Sequence, residues 1–153
     1  MIRVRVAILS VAVQVGISAA ATAQTVNLTI TPGSFSFASA DPDVTPSITA
    51  GVLTVTYRVR QNGKNNWRIT VLASGDLVAG AATILISNVT WTATPAPPFQ
   101  NGTLSRTVAQ TVASGTGNVN PAQTGSVIFA LANSWNYSVG TYTVTVAFTL
   151  TAP

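Results

Sequence analysis

Few side chains in this sequence can do chemistry. Its 153 residues include three acids, Asp41, Asp43 and Asp76, and no Glu, His or Cys. A structural zinc site draws on Cys and His, which are absent. A Ser–His–Asp triad lacks its base, a thiol nucleophile lacks its sulfur, and a disulfide framework cannot form. The one acidic pair is Asp41-Pro42-Asp43. Two carboxylates with loop carbonyls could hold Ca²⁺, but no further acid lies nearby in sequence to complete a cage. The same three residues suit a turn, and the turn is the favoured reading. Paired carboxylates also hydrolyse glycosides when held ~5–9 Å apart with one pKa raised. A solvated Asp-Pro-Asp loop gives no ground for either condition. The expectation is a chain that is not an enzyme and has no catalytic residues, no cofactor and no defined metal cluster, with calcium at Asp41 and Asp43 left open.

Aromatic residues offer a second kind of site. Trp91 with Phe99, and Trp135 with Tyr137, are candidate platforms for sugar rings. The alternative is burial. Trp135 and Tyr137 share odd parity with Val127, Phe129 and Leu131, so they extend one inward face if that strand continues. The cations give less. Arg58, Arg60, Lys64 and Arg68 are the one cluster, on two strands and their connection. They read as a solvated face, too few for the clustered phosphate contacts that nucleic acid demands. Lys64, the sole Lys, sits in a turn, away from any buried acid that an isopeptide cross-link would need.

The N-terminus reads as an export signal. Arg3 and Arg5 precede a mostly apolar run from Val6 to Ile17, and Ala21-Thr22-Ala23 fits a small-residue cleavage site. Residues 1–23 are therefore expected to be a signal peptide and 24–153 a single domain. The apolar run is short for a membrane span, so no integral membrane segment is expected after cleavage. Five bases then face three acids, and the high pI of about 10.4 reflects scarce titratable groups more than a basic surface. The expected location is extracellular, at the cell surface or in the periplasm. The sequons at Asn27, Asn88, Asn101 and Asn136 matter only in a eukaryotic secretory pathway.

The elements that would position any site are strands. Val26, Leu28 and Ile30 alternate with polar residues, as do Leu53, Val55, Tyr57 and Val59, then Trp67, Ile69 and Val71. Asn62-Gly63 inside Gln61–Asn66 predicts a hairpin connection. Ser87-Asn88 carries a parity switch that predicts a bulge or break. Thr94–Pro98 and Gly115–Gly125 read as loops, with Leu104, Val108 and Val112 as weaker strands between them. Val127, Phe129 and Leu131 mark a further strand. Tyr142, Val144, Val146, Phe148 and Leu150 alternate with Thr141, Thr143, Thr145, Ala147 and Thr149 in the last one. Thr and Val suit a pleated surface through their β-branching. Seven to nine short strands with Gly, Pro and Asn between them predict an all-β antiparallel sandwich, immunoglobulin-like or jelly-roll.

Two segments resemble the WxL family of bacterial surface proteins. Trp67-Arg68-Ile69 is similar to the Trp-x-Leu motif. The run from Tyr142 to Phe148-Thr149-Leu150, with Pro153 at its end, is similar to the distal motif. Ile69 stands for Leu and Phe148 for Trp. The resemblance implies non-covalent attachment to peptidoglycan or another cell-wall glycan. Gly140-Thr141-Tyr142-Thr143 also resembles the last strand of secreted pilin-like domains of the spore coat protein U type, without their usual disulfide. That likeness goes with the rival reading, a structural subunit of a surface filament or coat that self-associates by β-strand exchange. The first expectation is checked by mass spectrometry of exported protein. Its N-terminus should be Gln24, cyclised or not, and finding Met1 there contradicts the signal reading.

Overall fold

The computed structural model describes residues 9–14 and 25–152. The cleavage residues Ala21-Thr22-Ala23, the expected N-terminus Gln24 and Pro153 lie outside them. The period-two pattern becomes real strands, and most of their large apolar members face inward. In β5 (Leu53–Arg60), Leu53, Val55, Tyr57 and Val59 are buried while Thr54, Thr56, Arg58 and Arg60 point outward. In β6 (Asn66–Ala73), Trp67, Ile69, Val71 and Ala73 are buried. In β13 (Thr145–Thr151), Val146, Phe148 and Leu150 are buried.

These strands form two main sheets. One runs in the spatial order β10 (Gly102–Thr103), β9 (Val89–Thr94), β12 (Val119–Ala132), β5 and β2 (Thr25–Thr31), with β4 (Ser47–Thr49) paired to the end of β12. The other runs β11 (Gln110–Thr116), β6, β13, β1 (Leu9–Gln14) and β3 (Ser34–Phe35). A small hairpin, β7 (Leu77–Ala79) with β8 (Ala82–Ile84), joins the rest where Val78 pairs Thr143. The order β2-β5-β12-β9 is the A-B-E-D order of an immunoglobulin sandwich, and β6-β13 supplies its C and F strands. The fold is thus an all-β sandwich, and every ladder but one is antiparallel. The exception is β1, which lies parallel to β13, with Ser10 opposite Thr145 and Gln14 opposite Thr149.

Between the sheets lies one aromatic core. Phe35 stacks flat on Phe129 at 4.5 Å, and Phe129 meets Phe148 edge-on at 6.4 Å. Tyr57 bridges Trp67 and Phe99 at 5.0 and 5.9 Å. Such ring pairs add to the burial of apolar area, the main force here.

Two connections differ from the sequence reading. Asn62-Gly63 does not close a hairpin, because β5 and β6 lie in opposite sheets. Crossing the ~10 Å between stacked sheets needs a longer loop than a two-residue turn. Gln61 fixes that loop: its side-chain amide donates to the carbonyls of Asn65 (2.6 Å) and Gly117 (3.1 Å). Gly115–Gly125 is not a loop either. β11 ends at Thr116, Gly117 turns with φ 73°, and β12 begins at Val119. Its glycines serve packing instead: a Cβ on Gly115 would sit 2.6 Å from the Trp67 ring, and one on Gly125 2.2 Å from Phe99. Strand glycines often mark such close approaches. The parity switch at Ser87-Asn88 is a break, a 3₁₀ turn over Ile86–Asn88.

Burial pushes the Tyr57 phenol above the usual tyrosine range. A raised folded-state pKa means stability that is full below the unfolded value and falls as pH rises through the folded one. No Glu or His titrates between the aspartates and the tyrosines. Thermal melts should therefore give a nearly flat Tm from about pH 5 to 9 and a fall above about pH 10. That alkaline fall should be smaller in Tyr57→Phe.

Candidate assembly site

The residues singled out for chemistry do not converge. Asp41 builds a turn: its Oδ1 accepts from Asp43 N (2.9 Å), and its carbonyl accepts from Val44 N (3.1 Å) and Thr45 N (2.7 Å). Asp43 Oδ1 accepts from the Trp135 indole at 3.1 Å. Asp76 is elsewhere, accepting from Ile86 N at 2.9 Å and paired with Arg106 at 3.0 Å. Among the described residues no three acids, His or Cys gather as metal ligands. Arg58 and Arg60 sit on one sheet and Arg68 on the other, so the cations do not share one face as neighbouring strands would have given.

The aromatic candidates separate as well. Trp91 and Phe99 are each 2% exposed, so neither offers a ring face to a sugar. Trp91 is held by its indole N–H, which donates to the Gln100 carbonyl at 2.9 Å. Trp135 and Tyr137 do not extend the buried face of β12, because that strand stops at Ala132. Asn133 stops it by donating to the carbonyls of Ala40 and Thr45. Trp135 is left half exposed in the following turn. Tyr137 is part-buried; its hydroxyl donates to the Ala132 carbonyl and accepts from Asn88. Burial raises its pKa, and the Asn88 bond offsets part of that rise.

The residues resembling the WxL motifs lie inside the sandwich. Trp67, Ile69, Tyr142, Phe148 and Leu150 are each 4% exposed or less. Ile69 and Leu150 face each other across the β6–β13 ladder. Trp67 packs on Tyr57 and under Gly115, and its indole nitrogen is buried with no hydrogen-bond partner. Above it runs a shallow groove whose lining includes Asn66, Arg68, Thr111, Ser114, Thr116 and Thr151.

One arrangement was not anticipated from the sequence. The position beside β13, where an immunoglobulin sandwich places its G strand, is held by the backbone of Leu9–Gln14. These residues belong to the stretch read as the signal peptide. They pair with β13 on one side, and on the other Leu9 and Ser10 lie opposite Phe35 and Ser34 of β3. They therefore bridge two strands that share no ladder with each other. A cue was present in the sequence: Leu9, Val11 and Val13 alternate with Ser10, Ala12 and Gln14, a strand pattern inside an apolar run. Among the described residues, no helix is long and apolar enough to cross a membrane. Family models and curated proteins were both searched with this chain, and neither search gave a match.

Trp67→Ala should destabilise the domain by about 3–5 kcal/mol through lost burial and a cavity. Trp67→Phe should cost less, since the indole N–H has no partner to lose. Denaturant melts check both. An alanine variant as stable as the parent would remove Trp67 from the core.

Proposed function

We propose that this chain is an exported, non-enzymatic structural subunit of a bacterial surface filament or coat, whose sandwich is completed by a β-strand supplied from outside the mature domain. The observation behind this reading is the strand position between β13 and β3, occupied by Leu9–Gln14. Removal of residues 1–23 on export takes that strand away. The β13 edge from Thr145 to Thr149 then loses its ladder on one side. Unpaired backbone groups at a sheet edge template pairing with another chain, the basis of β-augmentation. A surface with five bases and three acids adds little like-charge repulsion to hold copies apart.

A second reading, attachment to a cell-wall glycan, draws on the groove over Trp67. There the hydroxyls of Thr111, Ser114, Thr116 and Thr151 lie beside Asn66 and Arg68. Pull-down on purified cell walls tests it: an attachment module should be retained and Arg68→Ala retained less.

The assembly reading is tested with protein expressed from the full chain in an exporting bacterial host and purified after cleavage. Light scattering should show mass rising with concentration at neutral pH, well beyond a monomer. A product that stays monomeric at high concentration overturns the reading.

A further inference from the structure

We infer that Asn62-Gly63 is a site of spontaneous covalent modification, where the Asn62 side-chain amide becomes an acid through a cyclic imide. The sequence holds two Asn-Gly pairs, Asn62-Gly63 and Asn101-Gly102. In each, the glycine has no β-carbon to hinder attack by its own amide nitrogen on the Asn side chain. The Gly63 amide loses its proton, and its nitrogen bonds to Asn62 Cγ. The bond from Cγ to Nδ2 then breaks, and ammonia leaves with the proton. A succinimide ring remains. Water opens the ring at either carbonyl by breaking one of its two C–N bonds. One opening gives an ordinary aspartyl residue at position 62. The other gives an isoaspartyl linkage, in which the main chain runs through the β-carbon. The net change consumes water, releases ammonia and leaves every oxidation state as it was.

The fold treats the two pairs differently. Asn62-Gly63 lies in the crossing between β5 and β6, where Asn62, Gly63 and Lys64 are all exposed. Gly63 has φ 87° and open space where a β-carbon would stand. The Asn62 carbonyl accepts from Asn65 Nδ2 at 3.2 Å. Among the described residues, none bonds to the Asn62 side-chain amide or to the Gly63 N–H. The attacking nitrogen and the attacked carbon can therefore meet without breaking a contact. Lys64 follows directly, and a positive charge there favours loss of the neighbouring amide proton.

Asn101-Gly102 is held. Asn101 Oδ1 accepts from Ala93 N at 2.9 Å. Gly102 lies in β10 opposite Trp91, with the Trp91 ring against the face where a β-carbon would stand. Turning the Asn101 side chain onto the Gly102 nitrogen breaks the bond to Ala93 and disturbs the ladder. Reaction there waits on local opening of the sheet. Asn133, which precedes the small Ser134, is held as well, since its amide donates to the carbonyls of Ala40 and Thr45.

The change counts on this surface because charge is scarce. Three acids become four, and the new carboxylate arises next to Lys64. Gln61 anchors the crossing through its bonds to Asn65 and Gly117, so the altered link lies beside a fixed point and the sheets keep their places. Exposed connections tolerate such changes better than the elements they join. The mark runs one way, grows with the age of each copy and does not depend on whether the protein assembles or attaches.

Tryptic peptides separate the two sites. Cleavage after Arg60 and Lys64 releases Gln61–Lys64, in which Asn62 is the one Asn, while Asn101 falls between Arg68 and Arg106. Exported protein purified after cleavage of its signal is kept folded at neutral pH for weeks, with an unaged sample as baseline. Mass spectrometry follows amide-to-acid conversion, and an isoaspartyl methyltransferase with a labelled methyl donor counts isoaspartyl linkages. Asn62 should convert at least about tenfold faster than Asn101, because the ordered pair must first open. In guanidinium chloride Asn101 should catch up. Asn62→Gln should remove most of the methyl label from the folded protein. An Asn62 that stays an amide in the folded protein overturns the inference. So does an Asn101 that keeps pace with it there, since the fold would then make no distinction between the pairs.

Discussion

The pairing of β13 is the constraint on which the sandwich turns. This strand carries Val146, Phe148 and Leu150 into the core and holds β6 on one side from Val146–Ala73 to Thr151–Arg68. Its other side must also be satisfied. Buried backbone N–H and C=O groups without partners each cost about as much as a lost hydrogen bond. In the structure β1 fills that side and links β13 to β3 within one sheet.

The aromatic core explains most of the remaining detail. Trp67 and Trp91 in strands, and Phe99 at an isolated bridge to Ala113, are large rings that each lie over a glycine: Gly115, Gly102 and Gly125. The glycines supply room that a β-carbon would deny. Two of the candidate sugar platforms, Trp91 and Phe99, are thus spent on packing. The acids go the same way: Asp41 accepts backbone N–H groups in its own turn, Asp43 takes the Trp135 indole, and Asp76 pairs with Arg106.

In the assembly reading, this domain's reactivity lies in its backbone. Its surface has few charges and its interior little polarity. An incomplete sheet binds by hydrogen bonds that any strand can make, and specificity comes from the spacing of inward side chains. The attachment reading would instead place function in the hydroxyl-lined groove above Trp67, on the opposite margin of the same sheet from β3.

Much of this was written in the sequence. Alternation in Leu53–Arg60, Asn66–Ala73 and Thr145–Thr151 determined the strands and their inward faces, because a pleat has period two and water sorts the two sides. The absence of Glu, His and Cys determined which chemistries lack their residues. Tertiary structure decided the rest. Local pattern cannot say which sheet a strand joins, so Asn62-Gly63 looked like a hairpin turn and proved to be a crossing between sheets. It cannot tell a loop glycine from one placed under a ring, so Gly115–Gly125 looked irregular. The parity of Trp135 and Tyr137 was sound, but Asn133 ended the strand through bonds to Ala40 and Thr45, more than eighty residues away. Above all, the strand position beside β13 is a relation between Leu9–Gln14, Ser34–Phe35 and Thr145–Thr151. No one of these segments carries it, because a neighbour is a property of the sheet and not of a strand.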